Sequence, residues 1–208
     1  IIAIILSSSF GLYTWMNNPE SQMVAVTVKA GSKAEMALPD GHFVHLNAAT
    51  NLEYDVNNSK QRLVKLSGEA FFDVAKNPDC PFKVIINDLQ IEVVGTSFNV
   101  KTYKKIVETS LLSGRIRISG GSLPHEYTLS PGQKATYSAM DKTLRISKAD
   151  AHVEAGWRDN YLIFESTPLF DVIAQIERWY GVEIRLHHKQ IAQDYYRDLS
   201  ETKVYRMS

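Results

Sequence analysis

From Met23 to Ile146 the sequence is built almost wholly from short alternating segments: "VAVTV", "FVHL", "LEYDV", "RLVKL", "FFDV", "FKVII", "LQIEVV", "FNV", "IRI", "KATY" and "LRI". Each is rich in Val, Ile, Phe and Tyr and is bounded by Gly, Pro, Asn or Asp. Alternation at period two puts one set of side chains on each face of a strand, so these segments read as half-buried strands separated by turns. Residues 23–148 are therefore expected to form an all-β domain. With 44% hydrophobic residues in 208, the chain has ample apolar material for a core.

The punctuation is regular. Gly41, Gly68 and Gly95 lie 27 and 27 apart, and Gly114 and Gly132 follow after 19 and 18. After the first three an apolar pair recurs, in "GHFVHL", "GEAFFDV" and "GTSFNV". Even spacing with a shared local pattern is the mark of stacked units that bury their apolar faces against neighbours. The expected fold class is mainly β, as a repetitive β-solenoid-like or a regularly wound, sandwich-like domain.

After Asp150 the pattern changes. "TPLFDVIAQIERWYG" places Leu169, Val172, Ile173, Ile176, Trp179 and Tyr180 at helical spacing, with Thr167 as the expected N-cap, Pro168 in the first turn and Gly181 as the stop. "YLIFE" before it and "VEIRLHH" after it read as strands. Residues 157–208 thus predict a small α/β unit of strand, helix and strand, joined to the β-domain through "SKADAHVEAGWRDN".

The chain opens "IIAIILSSSFGLYTWM", sixteen uncharged residues closing on Tyr13 and Trp15. A bilayer span takes about 20 such residues, and aromatic residues often mark its interfacial end. Residues 1–16 are expected to be the C-terminal part of a transmembrane helix. A secretory signal would need a basic start and a small-residue cleavage site, which this run lacks. A buried helix of the soluble domain is the other reading.

Twenty-three basic and 23 acidic residues balance, so no global field would hold a nucleic acid. Cys80 is the sole cysteine, which excludes an intrachain disulfide and a thiolate metal cluster. His42 and His45 project from opposite faces of a strand, and neither they, His187 and His188, nor His125 and His152 show metal-ligand spacing. No motif for a cofactor or a catalytic nucleophile occurs. Glu69 and Asp73 invite comparison with a glycosidase pair, but four strand positions separate them by roughly 13 Å, beyond the usual carboxylate spacing. Glu69 is read as structural, the first residue of a strand after the turn at Gly68. Asn99 is placed by alternation on the side facing away from the core, either solvated or laddered to adjacent strands.

In "LPDGHFVHLNAATNLEYDV", "LSGEAFFDVAKNPDCPFKV", "IEVVGTSFNVKTY", "LLSGRIRIS", "LSPGQKATY" and "FESTPLFDVIAQIERWYGVEI" the sequence resembles the FecR family of membrane-anchored anti-sigma factors. The resemblance runs from Val26 to Leu186. It implies a single-pass inner-membrane protein with this region in the periplasm, and no enzymatic activity or cofactor. It also implies a relay: the signalling domain of an outer-membrane TonB-dependent transporter contacts this region, and an extracytoplasmic-function sigma factor is controlled through a cytoplasmic segment absent from this sequence. In relatives the α/β unit continues through a further strand and helix, so the C-terminal unit is expected to be incomplete. A periplasmic carbohydrate-binding β-protein is the alternative. The partner is expected to add a strand at an exposed edge formed by Tyr161, Leu162, Ile163 and Phe164 or by Val182, Glu183, Ile184, Arg185 and Leu186, supported by Val172, Ile176 and Trp179.

Overall fold

The computed structural model describes residues 22–38, 40–56, 62–164, 167–186 and 203–206. Among them, residues 23–148 form two seven-stranded sheets. The first sheet runs, in spatial order, β1 (Met23–Val28), β4 (Thr50–Asp55), β5 (Leu63–Ser67), β7 (Phe82–Ile86), β8 (Leu89–Val93), β11 (Ile116–Gly120) and β12 (Tyr127–Leu129). The second runs β14 (Thr143–Lys148), β13 (Gln133–Ser138), β10 (Ile106–Ser113), β9 (Thr96–Lys101), β6 (Glu69–Val74), β3 (Phe43–Leu46) and β2 (Ala34–Ala37).

The alternation seen in the sequence fills the space between the sheets. Leu52, Val84, Ile91 and Ile116 of the first sheet and Val44, Phe72, Phe98 and Leu111 of the second belong to one buried cluster. Phe72 is its hub, stacked on Phe98 at 5.1 Å and tilted against Phe82 of the facing sheet at 5.6 Å. Each such ring contributes about 1.5–3 kcal/mol through burial.

The chain changes sheet repeatedly: β1 lies in the first, β2 and β3 in the second, β4 and β5 in the first, and the alternation continues to β13 and β14. Gly68, Gly95, Gly114 and Gly132 each occupy a connection where the chain crosses between sheets, whereas Gly41 lies in the turn joining β2 to β3. The regular glycine spacing therefore marks the crossings of a wound sandwich. Gly68 shows why the residue is needed: its φ is +115°, and a Cβ would stand 2.6 Å from the Thr50 Cα. A β-solenoid would stack its coils in parallel, but every strand pair in the two sheets is antiparallel except β5 with β7, so the sandwich alternative is the one realised.

Beyond the sandwich come α1 (Ala151–Ala155), the 3-10 turn η1 (Gly156–Asp159), β15 (Tyr161–Phe164), α2 (Leu169–Tyr180) and β16 (Lys203–Arg206). Gly181 ends α2 in the left-handed conformation, as expected. Its N-cap is Pro168 and not Thr167: the Pro168 carbonyl accepts the Asp171 and Val172 amides without a side-chain cap. Val182–Leu186 form no strand, contrary to the sequence reading. The Ile184 amide is instead drawn to Oε1 of Glu177, at 2.8 Å, and the strand that pairs with β15 is β16, with Ile163 opposite Val204. The expected membrane segment, residues 1–16, lies outside the described residues; no described helix is long and apolar enough to cross a membrane.

Candidate functional site

The sandwich and the C-terminal unit meet over the outer face of the second sheet. In β6 and β9 the core takes Phe72 and Phe98, so period two sends Glu69, Phe71 and Asn99 to the opposite face. That face is not open to water. Trp157 of η1 covers it, leaving Glu69 7% and Asn99 2% exposed.

A continuous chain of hydrogen bonds runs beneath this cover. Trp157 Nε1 donates to Asn99 Oδ1 at 3.1 Å, and Asn99 Nδ2 donates to Glu69 Oε1 at 3.0 Å. Asn47 Nδ2 donates to Glu69 Oε2 at 2.8 Å, while Asn47 Oδ1 accepts the Ala48 amide at 2.8 Å. The outer partners fix the sense of both amides, so both present N–H groups to the carboxyl. Burial raises the Glu69 carboxyl above its ordinary range, opposed by the charge of Lys101 and by the bonds from Asn99 and Asn47.

Around this centre the seam is polar. Lys33, from the connection between β1 and β2, donates to the Trp157 carbonyl at 2.6 Å and to Asn160 Oδ1 at 2.9 Å, and its ammonium sits 3.5 Å from the centre of the Trp179 ring. Burial lowers Lys33 to about 8, against the opposing pull of Glu69 and Asp159. Arg158 lies 3.5 Å over the Phe71 ring and Arg178 lies 3.9 Å over Tyr103. Lys134 binds Glu154 at 2.6 Å, and Lys104 binds Asp171 at the start of α2. The backbones also touch: the Gly31 amide donates to the Arg178 carbonyl at 2.8 Å, and a Cβ on Gly31 would stand 3.1 Å from the Tyr180 carbonyl oxygen.

Within the seam is a cleft of about 390 Å³ whose walls include Glu69, Lys101, Tyr103, Lys134, Trp157 and Arg178. Its charges are engaged with one another: Lys101 and Lys134 each lie 3.7 Å from Glu108. Among the described residues no group of three or more His, Cys, Asp or Glu is placed to hold a metal ion. Glu69 and Asp73 do not converge on a common point, since Glu69 is enclosed by the two amides whereas Asp73 is exposed and accepts from Ser97 at 2.7 Å.

The residues expected to receive a partner divide into two sets. Leu162 and Phe164 are buried against Val172, with Ile176 and Trp179 packed alongside, so the expected support for β15 is present. Tyr161 and Ile163 are half-buried and line the cleft. Val182, Glu183, Arg185 and Leu186 are exposed, and Ile184 is half-buried, but they offer no strand ladder. Neither Lys33 nor Trp157 was singled out by sequence pattern. A tryptophan isolated in the polar junction "SKADAHVEAGWRDN" is the signal that could have found the second.

This architecture and sequence have counterparts. Residues 24–117 match the family model described as FecR protein, and residues 161–199 match the model described as FecR, C-terminal. A crystal structure of a candidate anti-sigma factor from Parabacteroides distasonis superposes with a TM-score of 0.76 at 30% identity, covering 84% of this chain and 82% of that one. The chain belongs to the FecR family. A second crystal structure of a candidate anti-sigma factor from the same organism gives a TM-score of 0.72 at 31% identity, over 77% of this chain and 76% of that one. No curated protein matches the sequence. Glu69 and Asn99 lie in the first model's range and Trp179 in the second's, while Trp157 falls between the two.

Proposed function

We propose that this FecR-family chain is the signal-relay part of an anti-sigma factor. In this reading it is held at the inner membrane by the apolar run at residues 1–16, lies in the periplasm, and receives a signal from the signalling domain of an outer-membrane TonB-dependent transporter. It then controls an extracytoplasmic-function sigma factor. The observation that carries the reading is the likeness to a candidate anti-sigma factor over more than four-fifths of both chains. The geometry is consistent with it, because Lys101 and Lys134 in the cleft are held by Glu108 of the sandwich, and Lys134 also pairs across the joint with Glu154 of the C-terminal unit.

The partner strand adds to the two-stranded sheet of β15 and β16, which has no third strand among the described residues. Backbone pairing there needs little side-chain specificity. The direct test is co-purification of the full-length tagged protein from bacterial membranes. Recovery of both a sigma factor and a TonB-dependent transporter is expected. Recovery of neither, together with retention on a polysaccharide matrix, would favour a carbohydrate-binding protein instead.

A further inference from the structure

The geometry points to a reversible joint: α1, η1, β15 and α2 dock on and lift from the outer face of the second sheet together, with the Trp157–Asn99–Glu69 chain as their latch. Three observations converge on this. First, the unit has its own small apolar cluster, Leu162, Phe164 and Val172 with Ile176 and Trp179, separate from the sandwich core. Among the described residues, the buried apolar cluster that joins the two is small: Phe71, Ala155 and Trp157, with Leu112 and Trp179 beside them.

Second, the remaining contacts across the seam are ion pairs, cation–π contacts and single hydrogen bonds. Contacts between units of one chain allow relative motion unless the interface is large and apolar, and the ion pairs here gain little because water competes for their charges. Third, the seam packs incompletely around its 390 Å³ cleft, and it covers a carboxyl whose ionised form burial disfavours. Lifting the unit would hydrate Glu69 and Lys33 together, which offsets part of the lost contact. Closing would restore the Trp157 bond to Asn99, which links the unit to the buried polar chain.

The joint deepens the relay reading by naming the element that could carry a signal, yet it is measurable without any partner. Hydrogen exchange followed by NMR on the 208-residue chain reads it directly. The Gly31 amide and the Trp157 indole N–H report on the seam, because their acceptors are Arg178 and Asn99 across it. In the wild type both are expected to exchange at least roughly ten-fold faster than the amides of β6 and β9, which open only when the sandwich does. Trp157→Phe keeps an aromatic ring but leaves the Asn99 acceptor unpaired, and should speed Gly31 exchange by about another ten-fold with β6 and β9 unchanged. Lys104→Met, which removes the clasp with Asp171 and leaves the tryptophan in place, should act in the same direction and covers the case in which Trp157→Phe misfolds. Gly31 exchanging at the rate of β6 and β9 in all three proteins would overturn the joint, as would variants that accelerate seam and sandwich equally. A joint that opens, while the full-length protein captures no sigma factor, would sink the relay reading and leave the joint standing.

Discussion

Substituting the crossing glycines separates backbone strain from crowding, because the structure presents each alone and both together. At Gly132 φ is +79° and no atom lies within 4 Å of an added Cβ, so alanine there meets only the left-handed penalty, about 1–2 kcal/mol. At Gly95 φ is ordinary, but a Cβ would stand 2.5 Å from the Lys76 Cα, so alanine meets backbone crowding of about 1–3 kcal/mol. Gly68 combines a φ of +115° with Thr50 Oγ1 at 2.5 Å and the Thr50 Cα at 2.6 Å. The two costs sum to about 2–5 kcal/mol for Gly68→Ala. All three replacements reduce unfolded-chain entropy alike, so that gain cancels in the comparison. Urea denaturation of the three variants beside the wild type measures the order. Gly68→Ala is expected to be the most destabilised and Gly132→Ala the least. Equal midpoints for Gly68→Ala and Gly132→Ala would refute the argument that these glycines exist to let strands cross.

Glu69→Gln turns one amide-to-carboxyl contact into donor facing donor, since Asn47 Oδ1 and Asn99 Oδ1 are already engaged; a loss of about 1–3 kcal/mol in denaturant midpoint is expected at pH 5. Because burial raises Glu69, the wild type loses stability as pH rises through that raised value and the glutamine variant does not, so the gap should narrow towards neutral pH; a gap that widens would contradict the assignment. Lys33 is lowered to about 8 in the closed seam, so closing favours the neutral amine: protection factors at Gly31 should rise as pH goes from 8 towards the ordinary 10.5, and Lys33→Met should lack the rise. Ile163→Pro should weaken capture of the transporter's signalling domain by disrupting β15, whereas Ile184→Pro removes only the contact with Glu177 and should leave capture within about two-fold, measured by calorimetry with the isolated partner domain.

Eleven strands of the sandwich follow from alternation because each presents Val, Ile, Phe or Tyr to one face. β2, β10 and β12 do not announce themselves. "AEMA" lacks β-branched residues, Glu108, Thr109 and Ser110 interrupt the apolar pattern of β10, and β12 has three residues. The crossings were legible as glycine spacing, although spacing alone left solenoid and sandwich open. Asn99 shows the limit of period-two reasoning. Its face is given by the strand, but the cover comes from Trp157, 58 residues further on. Val182–Leu186 alternates like a strand, yet the turn at Gly181 brings Ile184 back to Glu177 before any ladder can form.

The relay is tested most directly by transcription from a sigma-dependent reporter in cells that express the full-length protein with Trp157→Phe or with Lys104→Met. Each removes a contact across the seam and none within the sandwich core, so both are expected to weaken the seam and leave the sandwich intact. If the seam carries the signal, reporter output without inducer should depart from wild type in the same direction in both strains, while Lys83→Met, which loses only the distant pair with Glu92, stays at the wild-type level. Unchanged output in both seam variants, at normal protein abundance and with Gly31 exchange demonstrably accelerated, would contradict it.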